Sequence, residues 1–121
     1  MYDWKTDRTL ALLSDISDQI DAVQAAASQV APSWDEVFVE CKYLVTLVQQ
    51  GQTWLLPVPD DETDRLLTSA LTTLVIGGLE CSSGAIARIG SVLDAALRTI
   101  DNGNVQFSEA LGAALEAMKA A

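Results

Sequence analysis

Residues 91–118 read SVLDAALRTIDNGNVQFSEALGAALEAM, and whether Asn102-Gly103-Asn104 interrupts them decides the fold. Asn-Gly is a strong turn signal. Yet Leu93, Leu97, Ile100, Asn104, Phe107, Leu111, Ala114 and Met118 keep an unbroken four-three alternation across it, the spacing of one face of one helix. A turn normally resets that phase, so the pattern predicts one continuous last helix with Asn104 on its seam, against the competing reading of a break at Gly103. A polar seam residue costs stability and can fix register or partner choice.

The same alternation recurs upstream. Leu13, Ile16, Ile20, Val23, Ala27 and Val30 mark a first helix, ended at Ala31-Pro32 because the residue before proline disfavours helix. Ser33 with Glu36 makes a capping box. Trp34, Val37, Cys41, Leu44 and Val48 form the second seam, with Gly51 as its natural stop. Pro57 and Pro59 exclude regular helix from residues 52–59, QTWLLPVP. Asp60 or Asp61 caps a third helix bearing Leu67, Leu71, Leu74, Gly78, Cys81 and Ala85. Its end is placed at Gly90-Ser91, where Ser91 and Asp94 suit a new cap and first turn.

Helices over 5–31, 33–51, 60–89 and 91–120 follow. Three are then nearly equal, roughly 40 Å at 1.5 Å per residue, and the second is about a third shorter. This predicts an all-α, antiparallel up-down-up-down four-helix bundle in a single domain over 1–121. The Trp/Pro loop would cover the groove left by the short second helix. Trp54, Leu55 and Leu56 are the expected lid of an apolar pocket there. Trp4, Trp34 and Trp54 otherwise read as seals at the bundle's ends.

Composition limits the chemistry. The 121 residues are half hydrophobic, with 17 acids, 7 bases, no histidine and a formal charge of −10. A nucleic-acid or anionic-membrane binder needs a basic footprint that this chain lacks. Without histidine the commonest general base and metal ligand is missing, and no nucleophile elbow, phosphate loop or dinucleotide fingerprint appears. The chain reads as non-enzymatic, with no cofactor, metal or catalytic set. Its periodic pattern is shared by many unrelated bundles and fixes no family. No apolar run of about 20 residues is apparent, so no membrane insertion is expected. No export signal is visible either, which makes the cytoplasm the default compartment.

Cys41 and Cys81 qualify that default. Each lies about eight residues, roughly 12 Å, below the same end of two antiparallel neighbours. Both face the core at one height, as a disulfide requires. The alternative is two buried free thiols. A bridge would favour an extracytoplasmic setting.

Two surfaces stand out. Asp7, Asp15, Asp18 and Asp21 fall within an arc of about 120° opposite the first seam, with no base between Thr9 and Ser33. This face either solubilises the chain or docks a partner with a basic surface, nucleic-acid mimicry being a special case. The second surface follows from a mean hydropathy of +0.23, high for so acidic a chain. Helix two is apolar around most of its circumference, and Val75 and Ile76 extend that character onto helix three. Val39, Val45, Val75 and Ile76 are therefore the expected surface of a twofold homodimer, which Val45→Glu should split. The functional expectation is a protein-binding module of adaptor, inhibitor or immunity type. The alternative is a small-molecule or sensory bundle using the groove under the Trp54 loop.

Overall fold

The computed structural model describes residues 7–29 and 33–120, with side chains described for 8–29 and 33–117. Trp4, Val30, Pro32 and the side chains of Asp7 and Met118 lie outside that description. Four helices account for the described chain: α1 (Asp7–Ala27), α2 (Trp34–Trp54), α3 (Asp61–Ala87) and α4 (Gly90–Ala120). No strand occurs among the described residues.

The caps explain most boundaries. Ser33 Oγ accepts the Glu36 N–H at 3.3 Å to start α2. Asp60 starts α3, its carboxylate accepting both the Thr63 N–H and hydroxyl at 3.0 and 2.7 Å. The Thr63 hydroxyl, then its N–H, hold the Asp60 pKa below the ordinary aspartate value. α3 ends at Arg88, which takes the left-handed conformation (φ 57°, ψ 45°). The Arg88 and Ile89 N–H groups return to the Ala85 and Gly84 carbonyls, the pairing of a Schellman-type stop. α4's first turn is closed by Leu93 N–H on the Ile89 carbonyl, so Ser91 lies inside the helix and is not its cap.

Two expectations need correction. Gly51 does not stop α2, which continues through Trp54. A side chain there would meet Ile16 Cδ1 at 3.2 Å and Leu55 Cδ1 at 3.3 Å, so its role is close approach inside the bundle. α2 consequently spans 21 residues, as many as the described part of α1, against 27 and 31 in α3 and α4. α2 remains shorter than α3 and α4, and Leu55 and Val58 of the Trp/Pro connection turn into the core beyond its end. The second correction concerns α3. From 66 to 87 it holds one charge, Glu80, and it is long and apolar enough to span a membrane by length and composition. Here Leu67, Leu71, Leu74 and Cys81 are buried in the bundle core, while Ile76, Leu79 and Ile86 are exposed.

The predicted seams form that core. Ile16, Ile20, Val23, Val37, Leu44, Val48, Leu93, Ile100 and Phe107 are buried, while Trp34, Leu97, Asn104 and Leu111 are half-buried. α4 runs unbroken through Asn102-Gly103-Asn104, and the packing supplies the reason. A Cβ on Gly103 would stand 2.8 Å from Leu74 Cδ2, and one on Gly77 would stand 2.8 Å from Ile100 Cγ1. Glycine lets the α3 and α4 backbones approach, so this Asn-Gly serves helix packing and not a turn. Contacts along α3 from Leu74 through Gly77 to Gly84 meet α4 at Gly103, Ile100 and Leu93 in turn, which makes the pair antiparallel. α3 packs most extensively on α4, then on α2; α1 rests on α2 and meets α4 sparsely.

Candidate functional site

The sparse α1–α4 meeting leaves a groove of about 320 Å³. Leu10 and Leu13 from α1 face Leu111, Ala114 and Leu115 from α4 across it. Leu10 and Leu115 are 45% and 56% exposed, which is unusual for leucines in facing helices and shows that the seam is open. Ser14, Ser17 and Asp18 supply its polar edge. Asp15 and Asp21 lie three residues either side of Asp18, and all three are exposed. The predicted acidic face therefore borders an apolar gap, an association that the sequence alone did not suggest. Higher up, the Gln24 amide donates to the Asp101 carboxylate and ties the two helices.

A second groove of about 460 Å³ runs between α2 and α3. Val45 lies along it as a buried residue, with Cγ2 2.6 Å from where a Cβ on Gly78 would stand. Phe38 and Lys42 contribute from α2, Leu79 and Ile86 from α3. Lys42 Nζ sits 5.4 Å from the Phe38 ring centroid, a cation–π distance. Ser82 Oγ donates to the Gly78 carbonyl and Thr46 Oγ1 to the Lys42 carbonyl. Cys41 and Cys81, the neighbours of Lys42 and Ser82, are buried with their sulfurs at disulfide distance and their Cα atoms 5.9 Å apart. Equal heights on neighbouring helices, read from the sequence, thus identified the pair.

The expected dimer surface is redrawn. Val39 and Ile76 are exposed and Val75 is half-buried, but Val45 is only 8% exposed. Val45→Glu would place a charge in the core, so it cannot test self-association. Leu79 and Ile86 were missed as surface residues in the sequence. With Ile76 and Ser83 they form a second three-four-three stripe on α3, displaced from the core seam and visible once that seam is assigned.

The Trp54 region is divided between core and surface. Leu55 is 1% exposed, Leu56 is half-buried and Trp54 points outward. The Arg8 guanidinium lies 3.8 Å above the Trp54 ring centroid. None of the three lines either groove. Among the described residues, no group of three or more His, Cys, Asp or Glu side chains could hold a metal ion. Compared with protein-family models, curated proteins and solved structures, the chain matches none of them.

Proposed function

We propose that the protein is a non-catalytic binding module, of adaptor, inhibitor or immunity type, that receives a basic amphipathic helix of a partner protein between α1 and α4. The observation that carries this reading is the apolar α1/α4 groove with Asp18 on its edge and Asp15 and Asp21 beside it. Leucines from both helices line the groove, the apolar surface against which an incoming helix packs its own i, i+3, i+4 anchors. The carboxylates select a partner whose polar face is basic and raise its association rate. α1 has no base after Arg8, and α4 has none between Arg98 and Lys119.

A synthetic Leu/Lys amphipathic helix, followed by fluorescence anisotropy, tests the reading. Binding should weaken as salt rises, and again in the Asp15→Asn, Asp18→Asn, Asp21→Asn triple variant. Leu115→Glu should reduce it at every salt concentration. Affinity indifferent to both salt and the triple variant would remove the acidic face from the account. The placement of Cys41 and Cys81 supports residence in an oxidising compartment; two alkylatable thiols in the unreduced, unfolded native protein would contradict it.

A further inference from the structure

The α2/α3 groove has the opposite chemistry and an independent use. Lys42 is the one base in α2, and Arg65, the one base in α3, is paired with Glu62 at 2.7 Å. Three and four residues from Lys42 stand Phe38, Val39, Val45 and Thr46, so α2 offers it no carboxylate at helical spacing. No acid lines the groove. In a chain of charge −10, an ammonium held beside an apolar channel with no acid is the feature that calls for an explanation.

We propose that this groove binds a free single-chain amphiphile with an anionic head, of the fatty-carboxylate class. The acyl chain lies over Val45 between Phe38 on one side and Leu79 and Ile86 on the other. The carboxylate meets Lys42 Nζ, with Ser83, which also lines the groove close to the height of Lys42, as a polar neighbour. The volume of about 460 Å³ falls within the range of ligand sites, roughly 300–1,000 Å³. Leu79 and Ile86 are 52% and 68% exposed, so a chain laid between them removes apolar surface from water on both sides. The Val45–Gly78 approach and the Cys41–Cys81 pair set the spacing of the two walls before any ligand arrives, which lowers the cost of ordering them. An anionic bilayer fits poorly, because its surface would meet the whole net charge of −10. A single amphiphile brings one negative charge to one lysine.

Dodecanoate and dodecanol, kept below their aggregation concentrations, are the probes, titrated into the full chain by NMR and calorimetry. Saturable shifts should appear at Lys42, Leu79 and Ile86, with dodecanoate bound roughly tenfold more tightly than dodecanol, the scale of a charge-assisted hydrogen bond. Lys42→Met should abolish that preference and Lys42→Arg retain it. Leu79→Glu, at an exposed site that leaves the core intact, should weaken both ligands. Lengthening the carboxylate should tighten binding about fourfold per methylene. Equal binding of the two probes, unchanged in Lys42→Met, would overturn the assignment of the head. Absence of saturable binding by either would overturn the site. A dimer that Leu79→Glu converts to monomer, with no ligand shifts in the parent, would give the groove to a second copy and overturn the proposal as well. None of these outcomes touches peptide binding between α1 and α4, which the anisotropy experiment judges separately.

Discussion

The two grooves differ in how their walls are held. Between α2 and α3 the walls are fixed by the Cys41–Cys81 pair and by Val45 against Gly78. Between α1 and α4 the walls stand apart, and one side-chain bond, Gln24 to Asp101, is described across them. The first groove carries a lysine and no acid, the second an aspartate and no base. A bundle built from four similar amphipathic helices thus acquires two unlike faces because its seams are closed by different means. The fixed seam suits a small ligand that needs a preformed site. The open seam suits a helix that must enter from outside.

The contrast breaks most sharply at the sulfurs. A closed loop of 40 residues' separation restricts the unfolded chain by about 4 kcal/mol in the chain-entropy account. A Cys41→Ala, Cys81→Ala variant should lose that much stability in chemical denaturation, and its α2/α3 groove should bind dodecanoate more weakly. Peptide binding at the α1/α4 groove should change little under native conditions. Next in size is Gly78→Val, which would press a branched side chain into Val45 and should cost roughly 1–3 kcal/mol. A methyl added at Gly112 would meet nothing within 4 Å, so Gly112→Ala should instead stabilise by about 1 kcal/mol. Opposite signs for two helical glycines would establish that the α2–α3 approach is a packing requirement.

The α3–α4 corner offers a change of intermediate size. Arg88 adopts a conformation that suits glycine, and Arg88→Gly should raise stability by about 1 kcal/mol. That gain should slow hydrogen exchange at the ends of α3 and α4 without protecting α1. The smallest effect is expected at the open seam itself. Gln24→Ala removes an exposed bond and should cost roughly 0.5 kcal/mol, at the low end for a hydrogen bond. A cost comparable to that of Gly78→Val would show the α1–α4 seam to be as fixed as its counterpart.

Much of this architecture was legible in the seams. The four-three alternation through Asn104 outweighed the local turn signal of Asn102-Gly103, because a helix face that buries Ile100 and Phe107 is worth more than one glycine's propensity. The cysteine pair was legible for a related reason, since helix rise converts sequence separation into height. Gly51 misled because its conformational preference is visible in the sequence and its neighbours, Ile16 and Leu55, are not. The grooves were hidden for a third reason. Each periodic stripe identifies a face, but which faces are left facing a gap depends on how far apart the helices settle. Asp18 could be assigned to an acidic arc, and only the separation of α1 from α4 made it the edge of a groove. Lys42 gave no signal until Leu79 and Ile86 appeared across from it.

Gln19 adds a constraint on how the open seam can move. Its side chain, 7% exposed, donates to the Glu40 backbone carbonyl at 2.9 Å and to the Glu40 carboxylate at 2.7 Å. Sliding α1 along α2 by one turn, about 5.4 Å, would strand that amide away from both partners, at the roughly 1–3 kcal/mol of a buried group left unsatisfied. Rocking α1 about its line of contact with α2 keeps both bonds while changing the distance to α4. The amide therefore acts as a pivot pin: it opposes translation and leaves rocking as the cheaper motion, the one that would widen or narrow the gap between α1 and α4.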